Sequence, residues 1–353
     1  MKLSLSLIIF FLTTSVVAAP LGLFEKWSNI SDPRIMGPTF VHLFNYLPLK
    51  ANVTDEKKYW SGDYWPLKNG NINFRWKAPT PTGFDLVSPS KEELLTMTPE
   101  QIMILSPSEK FDLLRGDYEY SLKKEVSKIA NPQALGWEGI CHGWAPASIN
   151  HNEPLPKVMK NPDGIEIPFG SADIKGLVSY FYAHAYKVRS TRQMGLRCYR
   201  EETEGVAQCT DDLNAGAFHI VLTNMIGIHN TGFVADLVRT TQVWNHPIYG
   251  YESTVVGHLP PGPRAAPGTD TVIRLKTEVK YGSEFTNNWE ATNGTSQQVF
   301  YTKIFEYDLE LSTYGDILGG EWVSENRPDF LWMKDKPAAF TGRFALLGQL
   351  LND

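Results

Sequence analysis

Gly136-Trp137-Glu138-Gly139-Ile140-Cys141-His142-Gly143-Trp144-Ala145-Pro146-Ala147 places a cysteine behind a turn-prone run and ahead of small, apolar residues suited to a packed helix. That is how a nucleophilic thiol is presented. At a helix N-terminus, unpaired N–H groups and the helix dipole favour thiolate over thiol. The same N–H groups can receive the oxyanion of a tetrahedral intermediate. A free cysteine also packs as a small hydrophobe, so Cys141 counts as chemistry only if partners follow it.

Upstream, the chain begins Met1-Lys2, runs mostly apolar from Leu3 to Val17 and reaches Ala18-Ala19-Pro20. One positive charge, an apolar core and small residues describe a secretory signal peptide, residues 1–18, cleaved after Ala18. The stretch is short of the roughly 20 apolar residues a membrane span needs, and no later stretch qualifies. The expected product is exported, extracellular or wall-bound, or periplasmic in a Gram-negative source. The formal net charge of −6 excludes the basic character that nucleic-acid binding requires.

Three cysteines are present. Cys198 and Cys209 flank a polar run and are expected to close a disulfide loop in an oxidising compartment. Cys141 is then the odd thiol. The eight histidines show no short metal-binding spacing, so metal ligands stay unassigned.

Residues 19–90 are rich in Pro, Asn and aromatics and read as an N-terminal extension, with 91–353 as the catalytic domain. Asn29-Ile30-Ser31, Asn52-Val53-Thr54 and Asn293-Gly294-Thr295 are glycosylation sequons. Ser90 with Glu93 has capping-box spacing. Thr98-Pro99 and Ser106-Pro107 each put proline at a first helical position. Further helices are predicted over 117–129, from Cys141, and from Ser171. His184 falls on or beside the apolar stripe of that last helix and reads as packing.

From Ala217 the pattern reads as strand. Residues 217–226 and 233–238, around the Gly227–Gly232 turn, predict a β-hairpin, with more strands at 242–256, 270–281 and 299–311. Helices first and an antiparallel sheet afterwards make an α+β fold. The expected hairpin puts His219 and Asp236 on neighbouring strands. His219 would take the Cys141 proton, and Asp236 would hold the imidazole tautomer. Asn245 is the alternative third member. His142 should face away from the sulfur, because consecutive helix residues point about 100° apart. His229 in the turn and His246 before a proline are expected to be exposed.

Val243-Trp244-Asn245-His246-Pro247-Ile248-Tyr249-Gly250-Tyr251 resembles the elicitor peptide of the oomycete cell-wall transglutaminases, with Val243, Trp244, Asn245, Pro247, Gly250 and Tyr251 carrying the pattern. Cys141-His142-Gly143-Trp144-Ala145-Pro146, Gly216-Ala217-Phe218-His219-Ile220-Val221, the run 105–114 and Leu318-Gly319-Gly320-Glu321-Trp322 are similar to the same family and its bacterial relatives. The chain departs from the peptide at His246, where the oomycete proteins have Gln, and at Tyr249, where they have a basic residue. These departures bear on receptor recognition, not on chemistry.

The resemblance implies a protein-glutamine γ-glutamyltransferase with a papain-like Cys-His-Asp core: a helical half carrying the cysteine, then a sheet carrying the histidine and aspartate. It also implies calcium dependence, with ligands unknown; no other cofactor is needed for the chemistry. Partners would be proteins with accessible glutamine and lysine. A papain-like cysteine peptidase and a protein deamidase share the chemistry as far as the acyl-enzyme. The non-enzymatic alternative is a secreted surface- or glycan-binding protein using the aromatic extension, with Cys141 structural.

Overall fold

The structure, a computed structural model, describes residues 27–55, 58–187, 191–197, 213–285, 298–324 and 326–351. The described helices are α1 (Lys91–Leu94), α2 (Pro99–Met103), α3 (Pro107–Leu114), α4 (Ser121–Ser127), α5 (Cys141–Asn150), α6 (Ser171–Tyr180), α7 (Ala215–Leu222) and α8 (Leu347–Leu350). Full capping boxes start α1 at Ser90, α2 at Thr98 and α3 at Ser106, so serine or threonine and the acid or amide three residues on satisfy end N–H groups reciprocally. α4 has no side-chain cap of its own. Instead Asp112, on α3, accepts from the N–H groups of Leu122 and Lys123, both at 3.0 Å.

The strands are β1 (Lys50–Asn52), β2 (Lys157–Lys160), β3 (Glu166–Phe169), β4 (Thr191–Met194), β5 (Phe233–Asp236), β6 (Asn245–Leu259), β7 (Thr271–Gly282), β8 (Phe300–Leu311), β9 (Ile317–Trp322) and β10 (Phe330–Lys334). Among the described residues, eight form one antiparallel sheet in the order β4-β10-β5-β6-β7-β8-β9, with β1 on β6; β2 and β3 pair separately.

Helices and sheet meet in two cores that lie on opposite faces of β5 and β10. Side chains alternate across a strand. Val234, Phe330 and Trp332 join the core built on α3 to α6, which also holds Cys141, Trp60 and Trp65. Phe233, Ala235, Leu237 and Leu331 join the core built around α7, which also holds Trp27, Met36 and Leu47. Aromatic and apolar residues of the segment 27–90 are thus shared between both.

The segment around His219 corrects the sequence reading. Residues 217–226 are not a strand; they belong to α7 and its one-turn π extension, Thr223–Ile228. The strand β5 pairs with β6 and β10, not with 217–226. Asn214 starts the helix, its side chain accepting from the N–H groups of Gly216 and Ala217. Every residue of α7 is buried, so no polar face marks a helical period, and a short apolar run rich in β-branched residues reads as strand. The Gly216 and Gly319-Gly320 motifs let α7 sit directly on β9: a Cβ at Gly216 would strike the Gly319 carbonyl, and one at Gly320 the Gly216 backbone.

Candidate active site

α5 begins at Cys141 with no side-chain cap, Ile140 occupying the N-cap position. The preceding turn is held from outside by the segment Tyr64–Leu67. Ile140 N–H donates to the Tyr64 carbonyl at 2.6 Å, and Leu67 N–H donates to the Glu138 carbonyl at 2.9 Å. The Tyr64 hydroxyl donates to the Gly136 carbonyl at 2.7 Å. Gly139 must be glycine because a Cβ there would collide with the Tyr64 carbonyl. Gly143 packs just as closely on the Ser179 carbonyl of α6. These contacts fix where the sulfur stands, and α5 also lies against β5 and β6.

Cys141 is a free, buried cysteine. Its thiol lies 3.8 Å from the Val243 carbonyl. Asn245 Nδ2 donates to Sγ at 3.4 Å. Trp332 Nε1 donates to Asn245 Oδ1 at 2.7 Å. An indole N–H is donor only, so it selects the amide orientation that turns Nδ2 toward sulfur. The elicitor-like motif therefore forms a wall of the cysteine site. Its remaining members hold the strand. Trp244 packs edge-on against Tyr64, with ring centroids 5.2 Å apart. Tyr251 is buried and donates to the Pro48 carbonyl at 2.6 Å. Pro247 lies opposite Val234, and Gly250 packs against the Asn52 side chain.

Burial pushes the Cys141 thiol up to about 11; hydrogen bonds from the Asn245 side chain and backbone pull it down, and the charges of Glu284 and Asp236 push it up. Asp236 lies opposite Asn245 in register on the neighbouring strand. Its Oδ1 accepts from Val238 N–H at 3.3 Å, and its buried Oδ2 has no hydrogen-bond partner among the described residues. Burial raises its carboxyl to about 8, against hydrogen bonds from the Val238 and Trp244 backbones, with the Asp329 charge adding.

His219 is not at this site. It lies on α7, in the core on the other face of the sheet, with its Nδ1 2.8 Å from the Tyr307 hydroxyl. Tyr307 belongs to β8, two strands from β6. From Tyr307 the chain of buried hydroxyls continues to Thr277 and on to Ser253, each step 2.8 Å. Burial pushes the His219 imidazole down to about 3, and its Nε2 has no hydrogen-bond partner among the described residues. The pairing of Cys141 with His219 through a hairpin therefore fails for a physical reason: the residues taken as its first strand are a helix. Among the described residues no imidazole hydrogen-bonds Cys141 Sγ.

Of the other histidines, His142 faces His184, edge to face at 6.2 Å. Burial pushes His142 down to about 4, with His184 and Lys334 adding to it. His229 is exposed. His246 is not: its side chain is 13% exposed, and its Nδ1 lies 3.8 Å from Glu284 Oε2. The expected Cys198–Cys209 disulfide and the signal peptide lie outside the described residues. Among the described residues no group of three or more His, Cys, Asp or Glu side chains converges as a metal cage, and no helix is long and apolar enough to cross a membrane.

Three site residues carried no signal in the sequence. Trp332 orients Asn245 from the far end of the chain. Tyr64 holds the cysteine turn from the N-terminal segment. Glu284 follows β7 with no motif spacing to Cys141. Strand order brings Trp332 to Asn245, because β5 pairs with both β10 and β6; Tyr64 is held at the cysteine turn by its own hydrogen bonds.

Residues 130–344 match the model of a family described as transglutaminase elicitor. No curated protein sequence matches the chain. The fold is similar to the crystal structure of the GP42 transglutaminase from Phytophthora sojae, with a TM-score of 0.68 at 23% identity, covering 92% of this chain and 97% of that one.

Proposed function

We propose, for a chain that belongs to the transglutaminase elicitor family, that it is a secreted protein-glutamine γ-glutamyltransferase with Cys141 as nucleophile. The observation that carries the reading is the free thiol at the start of α5, with the amide of Asn245 directed onto its sulfur.

In this mechanism Cys141 Sγ attacks the γ-carboxamide carbon of a protein glutamine. Gly143 and Trp144 N–H donate to the Ile140 carbonyl, so the Cys141 and His142 N–H groups are the ones at the head of α5 with no carbonyl one turn back to bond. Together with Asn245 Nδ2 they are the donors available to a developing oxyanion. Collapse of the tetrahedral intermediate expels ammonia and leaves a thioester. A lysine amine attacks the thioester, the C–S bond breaks, and an isopeptide cross-link results; water in place of the amine gives deamidation. Asn245 holds the sulfur side of the site, Trp332 holds Asn245, and Asp236 is a carboxyl beside them. Calcium is implied by the family resemblance; among the described residues no group of three or more His, Cys, Asp or Glu side chains converges to hold it.

A broad burial of the thiol favours transfer over hydrolysis, because excluding water protects the thioester. The test is amine incorporation into a glutamine-bearing protein such as casein, run beside a peptide-cleavage assay. Incorporation with ammonia release supports the reading; peptide cleavage without incorporation makes the protein a peptidase. Glutamate formation without incorporation makes it a deamidase. Export is tested by recovery of the processed chain outside the cell.

A further inference from the structure

Residues 237–244 join β5 to β6 and run across the cysteine. The connection is longer than the roughly two to five residues of an ordinary hairpin loop. It leaves from Asp236 and returns at Asn245, which lie opposite each other in register. Both ends belong to the site, and the strap between them closes over the sulfur.

The contact is close. Cys141 is 5% exposed, and the Val243 carbonyl oxygen lies 3.8 Å from Sγ. Acyl transfer requires the glutamine γ-carbon to come within roughly 3–3.5 Å of the sulfur, with its oxygen turned to the N–H groups at the head of α5. A strap carbonyl already seated against Sγ stands in the way of that approach.

What holds the strap is slight. Among the described residues no backbone–backbone hydrogen bond ties 237–244 to the rest of the chain. The N–H groups of Val238 and Trp244 donate to the buried Asp236 carboxyl. Arg197 Nη2 donates to the Thr241 carbonyl at 2.5 Å on the exposed side. Trp244 rests edge-on against Tyr64, and its indole N–H donates to Gln242 Oε1 at 3.1 Å, within the strap itself. Val243 is half-buried against the core of α3 to α6, while Thr240, Thr241 and Gln242 are exposed. Few buried apolar contacts and solvent-facing hydrogen bonds mark a segment that opens locally. The cysteine turn beneath is fixed by its hydrogen bonds to the Tyr64–Leu67 segment and by close packing on α6. The movable part is the strap, not the nucleophile.

We propose that 237–244 is an autoinhibitory strap: it closes Cys141 in the resting protein, and the glutamine-bearing segment of the acyl donor binds where the strap now lies, a replacement that rests on the acyl-transfer reading above. Opening withdraws the Val243 carbonyl from Sγ, frees the Val238 and Trp244 N–H groups from Asp236 and lifts Trp244 off Tyr64. Asn245 stays, because the Trp332 indole holds its amide from β10. Free glutamine lacks the flanking chain that would replace the strap's contacts, so the site takes glutamine within a peptide. The apparent affinity for that peptide is lowered by the fraction of protein that is closed.

The test follows iodoacetamide alkylation of Cys141 and deuterium uptake at the Val238 and Trp244 amides, both on the full chain at one pH. In the free protein the thiol should react only during openings that also expose those amides. Val243→Ala should therefore speed both by the same factor, roughly three- to tenfold for two half-buried methyls. Gln242→Ala, an exposed change that releases the Trp244 indole, should act in the same direction and serves if Val243→Ala fails to fold. Alkylation unchanged in both variants, or accelerated without a matching rise in uptake, overturns the strap. Replacement is read on Cys141→Ala with a saturating glutamine-containing casein peptide: uptake at Val238 and Trp244 should rise on binding. Uptake that falls or stays the same overturns the replacement. Failure of the acyl-transfer reading shows differently: the wild-type protein then takes up no glutamine peptide and the replacement falls with it, while the free protein still decides the strap.

Discussion

Asn245 bridges Cys141 and Trp332: one end of its amide donates to Sγ at 3.4 Å while the other accepts from the indole N–H at 2.7 Å. The residue that contacts the sulfur is thus an amide locked by a tryptophan some ninety positions away, not an imidazole. Asn245→Ala removes a donor that holds the thiol down, so the alkylation limb of Cys141 should move to higher pH. Trp332→Phe should move it the same way by freeing the amide to turn. The second variant also leaves Asn245 Oδ1 without a donor and should lose about 1–3 kcal/mol of stability. Iodoacetamide rate against pH, with denaturant melts, checks both. An unmoved limb in Asn245→Ala contradicts the contact.

The thiol itself should titrate high. A free cysteine ionises near 8.5; burial first, and then the Glu284 and Asp236 charges, take Cys141 to about 11. The resting protein should therefore alkylate slowly at neutral pH and accelerate toward that value. This replaces the sequence expectation of a thiolate stabilised by a neighbouring imidazolium. Rapid alkylation at mildly acidic pH would restore the ion-pair picture.

His219 should matter to stability and not to thiol reactivity. Its folded value of about 3 lies below the ordinary 6.5. Between those values the unfolded chain binds a proton that the folded chain refuses, so stability rises with pH across this window and is lost as pH falls from about 6.5 toward 3. His142 and His246, both pushed down to about 4, contribute with the same sign. His219→Gln should flatten part of that slope, read as denaturant midpoints at neutral and acid pH. Cys141 alkylation at neutral pH should be unchanged. A loss of alkylation in His219→Gln would place the imidazole back in the site.

Much of the frame was legible because local signals agree with the fold. Ser90, Thr98 and Ser106 announce helix starts through caps that the structure uses. The Gly-rich run before Cys141 announces a tight turn ahead of a helix. The sequence strands at 242–256, 270–281 and 299–311 correspond to β6, β7 and β8, whose long pairings sustain the alternation over many residues. The stretch 217–226 misled because α7 is buried on all sides and shows no polar stripe. Its one helical marker was Asn214, a capping residue in front of the run. The site was less legible than the frame. In sequence Asn245 reads as an alternative third residue, but its bond to Trp332 arises from strand order, which leaves no local trace.

The most direct test of acyl transfer at Cys141 is the intact mass of the protein mixed with a glutamine-containing peptide in the absence of amine. The wild-type protein should gain the peptide less one ammonia, and peptide mapping should place the adduct on Cys141. Addition of a primary amine should discharge it, giving the amine-linked peptide. An adduct that forms equally in Cys141→Ala, or wild-type protein that gains no mass while its thiol remains free, would contradict the account.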